Sequence, residues 1–131
     1  NDKPNGLGRY GDIEETTLEK FAKKVKEKLS LDGIRIVGEN NRKIKRVGLC
    51  TGSGMEFMTD AVNLNCDVYI TSDIKYHESQ SAIENGIALI DATHYGSENI
   101  IVPVIKKFLN ENAPSVEVVE SCVNGQVFKT L

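Results

Sequence analysis

The fold of this chain is decided by three short apolar runs, Val47-Gly-Leu-Cys-Thr51, Asp67-Val-Tyr-Ile-Thr71 and Ile87-Ala-Leu-Ile-Asp-Ala92. A segment with helical spacing of apolar residues follows each run, from Met55 to Leu64 after the first and from Lys75 to Asn85 after the second. Short apolar strands that alternate with helices predict parallel strands joined by right-handed crossovers, with both faces of the sheet covered.

Further elements are predicted before the first apolar run and after the third. Apolar residues at three- and four-residue steps predict a helix from about Thr16 to Leu29, and a short strand follows at Ile34 to Val37. The polar run Glu39 to Lys45 is typical of a surface turn. The fourth predicted helix should start near His94, reach Asn110 and bend at Pro103, because proline lacks the N–H that an interior helical position donates.

The chain should end in a hairpin, since Asn124-Gly125 lies between the strand-like segments Val116 to Glu120 and Gln126 to Thr130. The predicted fold class is therefore α/β, a layered and mostly parallel sheet with flanking helices and an antiparallel C-terminal hairpin.

The 131 residues, of which 40% are hydrophobic and 27% charged, are enough for a single α/β domain over residues 1–131. No apolar run approaches the roughly 18 residues of a membrane span, and the first residues do not resemble a signal peptide, so we expect a cytoplasmic protein. Cys50, Cys66 and Cys122 are widely spaced and odd in number, and we interpret them as small buried hydrophobic residues.

Charge is distributed unevenly along the chain. Residues 1–46 contain 12 basic and 8 acidic side chains, whereas residues 47–131 contain 4 basic and 11 acidic ones. Both histidines lie in the acidic part, which favours bound cations and argues against nucleic-acid binding. The lysines of the first helix are interpreted as its solvated outer face.

Polar side chains follow each of the three apolar runs, where the carboxyl ends of parallel strands should meet. These candidate site residues are Ser53, Asp73, Lys75, His77, Asp91, His94 and Glu98. The sharpest pair is His94 and Glu98, which one helical turn would place on the same face. An imidazole and a carboxylate suit zinc, manganese or iron, although a zinc site needs further ligands.

Other interpretations of these loops remain open. Thr51-Gly-Ser-Gly54 has the form of a phosphate-binding loop or of a simple tight turn, and Asp73 has the form of a helix cap. His77 with Glu78 resembles an ordinary pair on a helix face. A flavodoxin-like domain would bind a flavin or a nucleotide at residues 51–54, and absorbance of the purified protein would reveal it.

Five motifs in order resemble the C-terminal half of the NIF-three-like dinuclear metal centre family, whose members are often labelled type-two GTP cyclohydrolase I-like proteins. The motifs are Gly6-Leu-Gly-Arg-Tyr-Gly11, Cys50-Thr-Gly-Ser-Gly54, Thr71-Ser-Asp-Ile-Lys-Tyr-His-Glu78, Gly86 with Ile90, and Thr93-His-Tyr-Gly-Ser-Glu98. Two positions depart from the family pattern, because glycine is common where Ser72 and Thr93 stand.

The resemblance implies that His94 and Glu98 are metal ligands, and that Asp73, Lys75 and His77 line the same cleft without an assigned role. It implies two divalent ions per full-length subunit and a ring-like hexamer. The family's remaining ligands, a His-His pair and an aspartate, belong to an N-terminal half, so we interpret the chain as the C-terminal part of a longer protein with an incomplete site.

Two functions of different classes follow from these expectations. The first is half of a metal-dependent hydrolase that acts on a small-molecule substrate of unknown identity. The alternative is a non-catalytic metal-binding or partner-binding assembly protein.

Overall fold

A computed structural model describes residues 6–129 and has a five-stranded sheet at its centre. The strands are β1 (Arg9–Thr17), β2 (Arg35–Val37), β3 (Lys43–Leu49), β4 (Val68–Thr71) and β5 (Ala88–Asp91). Their order across the sheet is β1-β3-β4-β5-β2. The three central strands run parallel, and the two edge strands are antiparallel to their neighbours.

Five α-helices connect or follow these strands: α1 (Leu18–Lys28), α2 (Met58–Asn63), α3 (Tyr76–Glu84), α4 (His94–Glu98) and α5 (Ile101–Asn112). A single 3-10 turn, Met55–Phe57, precedes α2. The α/β class, the parallel centre and the helices between the strands confirm the sequence prediction.

The two faces of the sheet carry separate apolar clusters, because successive residues of a strand point to opposite faces. Val68, Ala88 and Ile90 pack with Leu18 and Ala22 of α1. Tyr69 and Leu89 point the other way and pack with residues of α2 and α3, which include Met58, Ala61 and Ala82. Coverage of both faces is the arrangement expected for parallel strands.

Several local features differ from the sequence prediction. β1 was not predicted, because its sequence is mostly polar and its residues are mostly exposed at the edge of the sheet. The supposed turn up to Lys45 forms the start of β3, since Ile44 is fully buried there. Cys122 is exposed, whereas Cys50 and Cys66 are buried as expected.

The last predicted helix is broken, but the break does not lie at Pro103. α4 ends at Glu98, and α5 begins at Ile101 after two linking residues. Pro103 is the third residue of α5, where its missing N–H has no intrahelical acceptor. A proline in the first turn of α5 therefore leaves α5 intact.

The predicted C-terminal hairpin does not form within the described residues, because no strand is present between residues 113 and 129. Thr130, the predicted end of its second strand, lies outside them. Val116, Val119, Val123 and Val127 are 58–81% exposed, so this segment buries no apolar face that would support an isolated pair of strands. The antiparallel strands of the sheet are β1 and β2 instead.

Within residues 6–129, no helix combines the length and the apolar character needed to span a bilayer.

Candidate functional site

The carboxyl ends of β3, β4 and β5 lie side by side, and the loops that follow them are joined by hydrogen bonds. Ser72 N donates to Gly52 O over 2.9 Å. The Thr71 hydroxyl donates to the same carbonyl over 3.0 Å and accepts from Gly54 N over 2.9 Å. Both glycines are buried, so this loop forms the floor of the site and not an open phosphate cradle. Its conformation is that of the tight turn considered above.

His94 lies between two carboxylates. Its Nδ1 is 2.6 Å from Asp73 Oδ2, and its Nε2 is 3.2 Å from Glu98 Oε2. His94 and Glu98 are the first and last residues of α4, so one helical turn brings them together as their spacing predicted. All three side chains are about half exposed, which leaves the cluster open to solvent and to ions.

The two carboxylates raise the pKa of His94 above its ordinary value of 6.5. The hydrogen bond that the ring donates to Asp73 is the largest cause, and the negative charge of Glu98 adds to it. Both carboxylates favour the imidazolium form over the neutral ring. A divalent cation near Nε2 would meet the same negative field.

Gly52 allows Glu98 to reach this position. A Cβ on Gly52 would overlap Glu98 Oε1 and would lie 3.4 Å from His94 Nε2, and the φ of Gly52 is +66°. Ser97 fixes α4 to the same loop, because its hydroxyl accepts from Gly52 N over 3.2 Å and lies 3.2 Å from the Ser72 hydroxyl. The first and third loops therefore meet directly beside the His94–Glu98 pair.

Thr93 adopts an unusual backbone conformation immediately before His94. Its φ is +59° and its ψ is 145°, a region that glycine occupies far more readily than a β-branched residue. Its hydroxyl is buried and, within the described residues, has no hydrogen-bond partner. Strain thus lies at one of the two positions where the sequence departs from the family pattern.

The remaining candidate residues differ in their relation to this cluster. Asp73 does not cap α3, because its carboxylate contacts His94, and Glu78 caps the helix by accepting from Lys75 N over 2.7 Å. Ser53, Lys75 and His77 are exposed, and no contact brings them to the His94–Glu98 pair. Asp91 is buried at the end of β5 and forms an ion pair with Arg35.

Arg35 is the residue that the sequence analysis missed. A buried aspartate at the end of an apolar strand needs a counter-charge, which is a signal that the sequence does contain. The identity of the partner depends on β2 pairing with β5, where Arg35 stands opposite Asp91.

His94 and Glu98 have the chemistry to bind a divalent ion, since a neutral imidazole nitrogen and a carboxylate oxygen are both common ligands. They fit such an ion only in part. Over residues 6–129, no group of three or more His, Cys, Asp or Glu side chains is arranged to hold a metal. Asp73 contacts the opposite ring nitrogen, so it is placed to orient the imidazole.

Comparison with known proteins gives consistent matches. A sequence model of the family described as Duf34/NIF3 (NGG1p interacting factor 3) matches residues 1–126. The GTP cyclohydrolase 1 type 2 homolog of Staphylococcus aureus strain MRSA252 is 37% identical over 129 residues, which are 95% of this chain and 35% of that protein. The protein of the same name from Streptococcus pneumoniae serotype 4 is 38% identical over 110 residues, or 81% of this chain and 41% of that protein.

Solved structures agree with this result. A hypothetical protein of Staphylococcus aureus superposes with a TM-score of 0.87 at 36% identity, and covers 96% of this chain and 43% of its own. A Bacillus cereus protein related to NIF3 has a TM-score of 0.91 at 30% identity, over 96% of this chain and 36% of that one. Reduced HcgD from Methanocaldococcus jannaschii has a TM-score of 0.66 at 27% identity, over 84% and 44%. The chain thus spans less than half the length of these relatives.

Replacement of Thr93 by glycine should stabilise the protein. In the parent protein, the φ of +59° and the unpaired hydroxyl each destabilise the fold by about 1–3 kcal/mol, and glycine removes both. The added freedom of the unfolded glycine chain offsets about 0.5–1 kcal/mol of this gain. We expect a net gain of at least about 1 kcal/mol in the free energy of unfolding, measured in urea. Thr59→Gly, inside α2, is the control and should destabilise. A Thr93→Gly protein less stable than the parent would contradict the account of strain.

Replacement of Asp73 by asparagine should lower the pKa of His94 towards 6.5 and change how stability depends on pH. Asparagine tolerates the φ of +58° at this position, so the backbone is preserved. Because the pKa of His94 is higher in the folded than in the unfolded protein, protonated His94 stabilises the fold. This stabilisation is fully present below the pKa of the unfolded state and is lost as the pH rises through the pKa of the folded state. Asp73→Asn should therefore be less stable than the parent near about pH 5.5, and the two should converge at alkaline pH.

The measurements are an NMR titration of His94 and urea unfolding across this range of pH. Asp60→Asn, a change at an exposed carboxylate of α2, is the control and should leave the titration of His94 unchanged. An unaltered titration midpoint in Asp73→Asn would show that the Asp73–His94 hydrogen bond is absent in solution.

Proposed function

Because the chain belongs to the Duf34/NIF3 family, we propose that His94 and Glu98 are ligands to a divalent metal ion in a metal-dependent hydrolase. The observation that carries this proposal is the distance of 3.2 Å between His94 Nε2 and Glu98 Oε2, with Asp73 on the other ring nitrogen. A carboxylate on Nδ1 leaves Nε2 as the nitrogen that can bind the ion, which is the usual arrangement of a histidine ligand and its supporting acid.

The ligand count limits what this chain does alone. A catalytic zinc site usually has three protein ligands, and His94 and Glu98 supply two. We propose that the others come from the part of the family's polypeptide that this chain does not span, since the chain covers 35% of the length of the Staphylococcus aureus relative. A divalent ion in such a site supplies a nucleophile by lowering the pKa of a bound water.

The substrate is proposed from the names of the relatives. Two of them are called GTP cyclohydrolase 1 type 2 homologs, so GTP is the first compound to test, followed by phosphate esters and cyclic amides. The sequence around the two histidines is acidic and would repel an anionic substrate, so such a substrate should bind only when bound cations offset this repulsion.

The metal site can be tested with Mn²⁺, whose unpaired electrons broaden the NMR signals of nearby nuclei even when binding is weak. Substoichiometric Mn²⁺ should broaden the ring signals of His94 much more than those of His77, which is exposed on α3. Glu98→Gln should reduce the effect on His94 by about tenfold or more, because a charged ligand is lost. The matched control Glu56→Gln alters an exposed acid outside the cluster and should have no effect.

Equal broadening of the two histidines would rule out the proposed ligands. If His94 is occupied by metal and the longer polypeptide that supplies the remaining ligands hydrolyses neither GTP, phosphate esters nor cyclic amides, the enzymatic part of the proposal fails and the alternative below is favoured.

The alternative is a non-catalytic assembly protein, and one observation favours it. α5 has no buried residue, and its apolar side chains Ile101, Val104, Ile105, Phe108 and Leu109 are 37–61% exposed. An apolar cavity of about 310 Å³ lies next to its start, between α1 and the sheet, and is lined by Phe21, Val25, Leu29, Leu49, Ile70 and Ile100. Contiguous exposed apolar surface of this kind usually marks an interface between proteins.

Under this alternative, the protein forms homo-oligomers through α5. Sedimentation velocity should show association of the parent chain, and Phe108→Ser should shift it towards monomer, because the substitution removes the most exposed apolar side chain of this helix. Val123→Ser, in the exposed C-terminal segment, is the control and should leave the distribution unchanged. A parent chain that is monomeric at high concentration would contradict self-association.

A further inference from the structure

A buried carboxylate ties two loops of the candidate site together. Asp91, which is 5% exposed, accepts from Thr93 N over 3.1 Å through Oδ1. Its other oxygen accepts from Ile74 N over 3.4 Å and pairs with the guanidinium of Arg35. One side chain therefore bonds the loop after β4, the loop after β5 and the edge strand β2.

The two backbone N–H groups belong to residues next to the cluster. Ile74 directly follows Asp73, and Thr93 directly precedes His94. Asp73 and Thr93 have φ values of +58° and +59°, which non-glycine residues adopt rarely and keep only where the surrounding structure holds them. The Asp91 carboxylate accepts hydrogen bonds at both strained positions, from the N–H of Thr93 itself and from the N–H of Ile74, which follows Asp73.

Arg35 completes this arrangement from the edge of the sheet. It stands opposite Asp91 in the antiparallel pair of β2 and β5, and its guanidinium also donates to Ile74 O over 3.3 Å. A buried carboxylate without a counter-charge is costly, and Arg35 supplies that charge beside a carboxylate that accepts from both loops. β2, although it has only three residues, thereby acts on the geometry of the site.

We propose that Asp91 is a positioning residue that sets the distance between Asp73 and His94, and hence the direction in which His94 presents Nε2. The inference deepens the proposed function, because the positioned nitrogen is the proposed metal ligand. A hydrogen bond between a carboxylate and an imidazole does not require a metal ion, so the inference can be tested on the metal-free protein.

A second aspartate provides a matched control at the opposite end of the sheet. Asp67 precedes β4, and its Oδ2 accepts from Lys45 N over 2.8 Å and from Arg46 N over 2.7 Å. It resembles Asp91 in bonding two backbone N–H groups, but it lies at the amino end of the parallel strands and away from His94. A purely structural role would make the two aspartates equivalent in their effect on the site.

The experiment compares Asp91→Asn with Asp67→Asn at one fixed pH, first in metal-free protein and then with substoichiometric Mn²⁺. Both should lower the melting temperature. Only Asp91→Asn should shift the ring ¹⁵N signals of His94 in the metal-free protein and weaken the Mn²⁺ broadening of that ring by about tenfold, because displacement of Asp73 removes the support of the ligating imidazole. The ring signals of His77 should be unchanged in both proteins. Unshifted His94 signals in Asp91→Asn, or equal shifts in Asp67→Asn, would overturn the inference.

Arg35→Gln tests the same point if Asp91→Asn does not fold. Its side chain is 71% exposed, so the substitution spares the core while removing the counter-charge of Asp91. It should shift the His94 signals in the same direction, whereas Arg46→Gln, which breaks the exposed pair with Asp12, should not. The two proposals can fail separately. If Mn²⁺ does not broaden His94 selectively in the parent protein, but Asp91→Asn still shifts the His94 signals, the metal ligands are refuted and the positioning role is retained.

Discussion

Parallel pairing of β3, β4 and β5 is the constraint on which the rest of the molecule depends. It places three carboxyl ends in register at one edge of the sheet, and each end leads into a loop that carries part of the candidate site. Residues far apart in sequence, such as Gly52 and Glu98, meet only because these strands are neighbours. The edge strands are antiparallel, and β2 returns to this edge with the basic partner of Asp91.

The sequence predicts this centre well because each central strand is short, apolar and followed by a helical pattern. Its burial on both faces is reflected in the residues themselves, as in the run Ala88 to Asp91. β1 lacks such a pattern, since an exposed edge strand owes its existence to hydrogen bonds with β3 and not to burial. The expected C-terminal hairpin had suitable turn residues but no apolar surface to cover, so local propensity did not suffice.

The His94–Glu98 contact could be predicted because it depends on one helical turn. The contact with Asp73 and the support from Asp91 and Arg35 could not, because they depend on backbone conformations with positive φ and on strand order. The site is thus a local pair held by long-range polar contacts. The family match and the structural similarity agree with this fold. The proposals for the metal and the reaction rest on these side chains.

The two-residue break between α4 and α5 separates the site from the exposed apolar helix. α4 is fastened to the floor of the site through Ser97, whereas no residue of α5 is buried. Asn99 and Ile100, which link the two helices, keep helical φ and ψ, and Val102 N donates to Asn99 O across the break over 3.2 Å. A neighbour that moved α5 would therefore also move the helix that carries His94 and Glu98.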